Sequence, residues 1–188
     1  MSENDSNIIQ PLPIVAYGCE ILREKTIPVE SIEVAKDIIA KLKSSMSPIS
    51  TAVGLSAPQI NSNLSAFIMR NGQSDNIISV INPVIIKRRD KMKTEEGCLS
   101  IPKVYGEVPD RDKRIEVTFY DENLKRHRLK FDGFAGTIFQ HEYDHLKGIL
   151  FVDHMTKEGR EKIAYQLNEI ESGKIQTTYD MIFSSQKV

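Results

Sequence analysis

Between Asp132 and Lys147 the chain reads as one helix, with Asp132 as a candidate N-cap and Gly148 suited to a left-handed C-terminal cap. Within it, His141-Glu142-Tyr143-Asp144-His145 sets two imidazoles four residues apart, one above the other on a single helix face. Rings placed this way can converge on one metal ion, and Glu142 stands beside them to handle protons on a metal-bound water. Any fold must then carry further donors to that face. The plainer reading, two structural histidines, stays open on this motif alone.

The elements around this helix set the class. Ala35, Ile38, Ile39, Leu42 and Met46 recur at helical spacing after Ser31, a candidate N-cap, so Ser31–Met46 is an amphipathic helix laid on a core. Ser47–Gln59 is rich in Ser, Pro, Thr and Gly and favours an extended or looping segment. Leu64–Met69, Ile77–Ile81 and Val84–Ile86 are short, β-branched apolar runs that favour strands. Ile115, Val117 and Phe119 alternate with polar residues, Asp121-Glu122-Asn123 breaks the run, and Arg126–Phe131 resumes it, the pattern of a hairpin. A last helix is predicted from about Lys157 to about Ser172. Strands precede a central helix with no strand-helix-strand alternation, so the fold class is α+β, with antiparallel sheets packed around the helix bearing the two histidines.

At 188 residues the chain suits a single catalytic domain spanning residues 1–188, with a polar tail over about 1–12 and another over about 173–188. The formal charge of −1 arises from interleaved charges that imply no large basic face, so nucleic acid is a poor partner. Met1–Gln10 is polar and acidic, unlike a signal peptide, and no apolar run approaches the roughly 18–20 residues that cross a bilayer. The expectation is a soluble, cytoplasmic protein with no membrane partner. Two cysteines, Cys19 and Cys98, cannot build a disulfide framework, and a reducing compartment favours a reactive or metal-bound thiolate.

A catalytic site of this type needs a third protein ligand and one open position. Proteases that continue as HExxHxxGxxH would need a histidine where this chain has Phe151, which excludes them. Those taking a glutamate from a following helix leave Glu169 as a third ligand, the reading of a zinc metalloprotease. Cys98, in Glu96-Gly97-Cys98-Leu99-Ser100, is the better candidate: a thiolate beside two neutral imidazoles makes a soft three-ligand site. Its bland alternative is a small buried hydrophobe. A non-enzymatic reading staples Cys19, Cys98, His141 and His145 around a structural zinc ion, at cysteine spacings unusual for such sites.

Three separated segments, Val53-Gly54-Leu55-Ser56-Ala57-Pro58-Gln59, Glu96-Gly97-Cys98-Leu99-Ser100 and Gln140-His141-Glu142-Tyr143-Asp144-His145, each resemble a signature of the peptide deformylase family, in matching order and separation. Ile81-Asn82-Pro83 and Gly148-Ile149-Leu150-Phe151 are similar to weaker features of that family, so the likeness spans about Ile14 to His154. The family's fold, antiparallel sheets around the histidine helix, agrees with the pattern above. The chain departs from the family at Ala52, usually Gly, at Ser56, more commonly Ala, and at Asp110, where the family often places Arg after Val108-Pro109, so that Arg111 comes one residue late.

Carried over by resemblance, Cys98, His141 and His145 are the metal ligands, Glu142 is the acid/base, and the Gln59 amide and Leu99 N–H stabilise the oxyanion. The reaction implied is removal of the N-formyl group from the N-formylmethionine of nascent peptides, releasing formate by attack of a metal-activated water. The resemblance also implies Fe(II), with Zn, Ni or Co as substitutes, and binding of an extended peptide along Val53, Gly54 and Gly97. Phe134, Thr137 and Ile138 would line the methionine pocket or serve as helix core packing. A monomer is expected. In some relatives a C-terminal helix contacts the ribosome, whereas Lys157, Arg160 and Lys162 among acidic neighbours read here as a solvated face.

Overall fold

The computed structural model describes residues 9–70 and 76–184. Its seven strands are β1 (Ile14–Val15), β2 (Gly54–Ser56), β3 (Ala66–Arg70), β4 (Ile77–Cys98), β5 (Ile101–Tyr120), β6 (Arg126–Asp132) and β7 (Met181–Ile182). Three α-helices accompany them: α1 (Ile32–Met46), α2 (Gly133–His145) and α3 (Lys157–Glu171). Strands β2 to β6 form one sheet in chain order, and every neighbouring pair in it is antiparallel. β1 and β7 pair in parallel as a separate two-stranded unit.

Strand β3 shows why its apolar run is unbroken. Ala66 and Ile68 join the cluster under α1 with Ile38, Ile39 and Leu42, while Phe67 and Met69 face α2 with Ile138 and Phe139. A strand covered on both faces needs no alternation. In β5, by contrast, Ile115, Val117 and Phe119 are buried in alternation, as the sequence predicts. The Phe139 ring lies edge-on to Phe67 at 5.1 Å and stacks on Phe131 at 5.4 Å, fixing the buried face of α2 against the sheet.

Strands β4 and β5 are far longer than their apolar runs suggest, because register shifts let them bend and pack in two places. The second half of β5 lies on α2, whereas Ile101, Val104 and Val108 at its start pack with Ile163, Leu167 and Ile170 of α3. Two runs read as separate strands, Ile77–Ile81 and Val84–Ile86, are one strand interrupted at Asn82, which has φ +48 and binds both backbone groups of Val29 through its amide. The segment Ser47–Gln59, expected to be extended or looping, contains the extended β2 and runs into a short 3₁₀ helix over Ala57–Ile60.

The expected cap of α1 forms, the Ser31 side chain accepting from the Val34 N–H, and α3 starts at Lys157 as expected, with Thr156 accepting from the Gly159 N–H. Asp132 occupies the N-cap of α2 but makes no capping bond. At the other end Gly148 takes φ +73, with its N–H bonded to the His145 carbonyl and the Ile149 N–H to that of Asp144. This is a Schellman closure. Residues 1–8 of the expected N-terminal tail lie outside the described residues, but Leu12 donates its N–H to Ser45 and packs on the α1 cluster. Within the expected C-terminal tail, Met181–Ile182 form β7. Among the described residues no helix is long and apolar enough to cross a membrane.

Candidate active site and metal centre

Helix α2 carries His141, Glu142 and His145, and Cys98 is the last residue of β4. One donor atom from each of Cys98, His141 and His145 lies within 4.8 Å of the others. Cys98 Sγ is 3.3 Å from His145 Nε2. His141 Nδ1 is 2.9 Å from Glu96 Oε2, which fixes that ring and leaves Nε2 for the cluster. A thiolate and two imidazoles at this spacing fit a divalent transition ion.

Glu96 sits at the centre of a buried ion network. Arg111 Nε donates to Glu96 Oε1 at 2.7 Å and a second guanidinium nitrogen donates to Oε2 at 2.9 Å, a bidentate pair. The other arm of Arg111 reaches Asp144, whose carboxylate also meets His154 Nε2 at 2.8 Å. The late position of Arg111 in sequence is absorbed by a bulge. Between the pairs Thr94–Val108 and Met92–Arg111, β5 holds one more residue than β4, so Pro109 and Asp110 stay exposed while Arg111 turns inward.

Burial alone would raise the Glu96 carboxyl, but the Arg111 and His141 hydrogen bonds outweigh it and hold the group well below the usual carboxylate range. Burial likewise opposes charge on Arg111, and its two carboxylates more than reverse that. Asp144 is held low by His154 and Arg111 against its own burial. Glu96 is therefore an ionised acceptor for the His141 ring.

Glu142 is in the opposite situation. Its carboxyl lies against Gly54, where an added Cβ would come within 2.5 Å of Oε1, so the β2 backbone and the helix meet directly over this group. Among the described residues, Oε2 is buried with no hydrogen-bond partner. Desolvation raises the carboxyl to about 7, against the lowering influence of His141 and Ser56 beside it.

Gln59 has a fixed orientation. Its Oε1 accepts from the Ser56 N–H and the Ser56 hydroxyl, both at 2.9 Å. Because a backbone N–H can only donate, the amide nitrogen must point the other way, and it lies 3.3 Å from both Cys98 Sγ and Ser100 Oγ. Cys98 is followed by the two-residue turn Leu99–Ser100, after which Ile101 pairs back with Cys98.

The remaining site residues are placed as follows. Gly54 and Gly97 flank this region from β2 and β4, with Val53 just ahead of β2 and partly exposed. Of the three helix residues expected at a pocket, Phe134 is exposed, Thr137 is buried and donates its hydroxyl to the Gly133 carbonyl, and Ile138 sits in the core. Ala52 has no positive φ, and its side chain packs in the α1 cluster. Glu169 and Cys19 do not join the donor cluster: Glu169 meets Lys174, and the Cys19 thiol faces the Ile182 carbonyl at 3.6 Å. Sequence reasoning did not anticipate the Asp144 contacts, which follow from no motif's spacing; the Ser56 clamp on Gln59 was legible, because Ser56 and Gln59 stand at the spacing of a capping box.

An antiparallel sheet folded onto a helix, with a thiol, two imidazoles and a desolvated carboxyl meeting at one end, defines a class, the α+β metallohydrolases. The profile of the family described as Polypeptide deformylase matches residues 11–161. A peptide deformylase from Chlorobium phaeobacteroides is 36% identical over 183 residues, covering 94% of this chain and 98% of the relative. One from Cytophaga hutchinsonii is 36% identical over 187 residues, covering 93% and 98%. Among solved structures, the peptide deformylase from Thermus thermophilus superposes with a TM-score of 0.81 at 34% identity, covering 87% of this chain and 99% of that one. The Plasmodium falciparum peptide deformylase in complex with an inhibitor gives 0.76 at 35%, covering 84% and 97%. The chain belongs to the peptide deformylase family, and it is an enzyme, a hydrolase.

Proposed function

We propose that the protein removes the formyl group from the N-formylmethionine of nascent peptides, with Cys98, His141 and His145 holding an Fe(II) ion and Glu142 as acid/base. The observation that carries this reading is the buried, partnerless carboxylate oxygen of Glu142 beside a donor cluster at which the Gln59 amide is aimed. A divalent ion held there would lower the pKa of a water and polarise the formyl oxygen.

The chain's own groups do the rest. Glu142, raised to about 7, takes the proton of the attacking water. As charge develops on the formyl oxygen, the Gln59 amide and the Leu99 N–H donate to it. Glu142 then passes its proton to the methionine nitrogen as the C–N bond breaks, leaving formate and a free amine. Among the described residues β2 pairs with β3 alone, so its other edge, with Val53 and Gly54, is suited to an extended peptide that also passes Gly97. Phe134, Thr137 and Ile138 complete the methionine pocket in this reading.

Fe(II) is the ion proposed. Zinc, nickel and cobalt suit the same donors, and nickel and zinc bind such sets more tightly by the Irving–Williams order. Residues 1–188 act as one catalytic domain, a cytoplasmic monomer in this proposal. The test is formate release from a formyl-Met peptide by iron-loaded protein kept free of oxygen. Glu142→Ala should hold a full equivalent of metal and turn over no substrate. A wild-type protein fully loaded with iron that releases no formate would overturn the reading.

A further inference from the structure

We propose that Tyr179, in the segment following α3, is a positioning residue for the turn Leu99–Ser100; the inference rests on the reading above, in which the Leu99 N–H stabilises the oxyanion. Two-residue hairpin turns usually take positive φ at one or both central residues, because that matches the twist of the strands. Neither Leu99 nor Ser100 has positive φ. The turn therefore lacks the dihedrals that match it to the strand twist, and bonds from outside help to hold its shape.

Among the described residues, three bonds reach it from elsewhere in the chain. The Tyr17 N–H donates to the Ser100 carbonyl at 2.8 Å, and the Gln59 amide lies 3.3 Å from the Ser100 hydroxyl. The Tyr179 hydroxyl donates to the Leu99 carbonyl, also at 2.8 Å. Of the three, only the Tyr179 bond falls on Leu99 itself. It fixes the peptide on the C-terminal side of the Leu99 Cα, and with it the direction in which the N–H on the other side can point. Tyr179 and Leu99 also pack against the same apolar cluster.

The donor is itself well anchored. The Thr177 hydroxyl binds the Tyr179 carbonyl at 2.6 Å, the Ile14 N–H binds that of Asp180, and the Ala16 N–H binds that of Ile182. β1 and β7 thus form one frame, which clamps Ser100 through Tyr17 and Leu99 through Tyr179. Burial pushes the Tyr179 hydroxyl well above the usual tyrosine range, with Cys98 and Tyr105 adding to the shift, so it remains a donor. The bond comes from beyond residues 11–161, the stretch that matches the family profile. Its function in this account is to preorganise a donor before charge appears.

Tyr179→Phe removes the hydroxyl and keeps the ring. With a formyl-Met peptide and iron-loaded protein kept free of oxygen, kcat should fall about tenfold, short of the hundredfold that a misplacement of about 1 Å can cost. KM, metal content and the melting temperature should stay close to wild type. Ser184→Ala, which removes a bond from the same segment to the Glu171 carbonyl, should leave kcat unchanged. The proposal is overturned if Tyr179→Phe keeps the wild-type kcat, or if its kcat falls only together with metal loss or a lowered melting temperature. An equal fall in Ser184→Ala also overturns it, since any loosening of the segment would then suffice. A wild-type protein with no deformylase activity removes the underlying reading itself, an outcome distinct from an active wild type matched by Tyr179→Phe.

Discussion

Replacing Gln59 by alanine removes the amide nitrogen aimed at Cys98 and leaves the three donor atoms of the cluster in place. An interaction made chiefly in the transition state contributes to kcat rather than to ground-state binding, so kcat should fall about 100- to 1000-fold while KM changes little. Steady-state kinetics with a formyl-Met peptide, run beside a metal assay, reads both. An unchanged kcat would make Gln59 no more than a clamp on the Ser56 backbone, and a lost metal would make it part of the scaffold. Residues at this scale were unevenly legible in the sequence. His141, Glu142 and His145 announce themselves because a helix makes i and i+4 neighbours, whatever the rest of the chain does. Arg111 does not, because its partnership with Glu96 depends on a bulge that no local pattern encodes.

At the scale of elements, the end of α2 is under the tightest local control. Gly148 lies at φ +73, and a Cβ built there would stand 2.3 Å from the Arg23 carbonyl oxygen. Gly148→Ala therefore combines left-handed strain with a clash against backbone, and should cost about 2 kcal/mol or more. For a chain of this size that corresponds to a fall of about 4–8 °C in the melting temperature, readable by calorimetry. A melt equal to wild type would show that the closure can relax without loss. Glycine at a helix end is a strong signal, which is why this boundary could be placed from the sequence. Strand lengths could not, since β4 and β5 extend through charged stretches such as Lys87–Lys93 that satisfy their backbone groups in a ladder without any apolar pattern. β7 left even less trace. Two residues of strand are too short for periodicity, and the partner, β1, lies at the opposite end of the chain.

For the whole molecule, the donor cluster joins two parts of the chain that the sequence keeps far apart, the end of β4 and the C-terminal part of α2. An ion bound by Cys98, His141 and His145 has no comparable site in the unfolded chain, so its binding free energy adds to that of folding. At free metal a hundredfold above Kd the gain is about 2.7 kcal/mol. On a domain of this size that amounts to about 5–10 °C in the melting temperature. Chelated wild-type protein should melt lower by that amount and recover when metal is restored, with Fe(II) added in the absence of oxygen. Variants then separate the donors from their neighbours. Cys98→Ala should lose most of the metal-dependent shift, because two imidazoles on one helix no longer bridge to β4. Glu142→Ala should keep it, since that carboxylate acts on water and not on the ion, and Glu169→Ala should keep it because that side chain faces Lys174. If Cys98→Ala retained the shift while Glu169→Ala abolished it, the third donor would come from α3, and the thiolate site with the mechanism built on it would have to be given up.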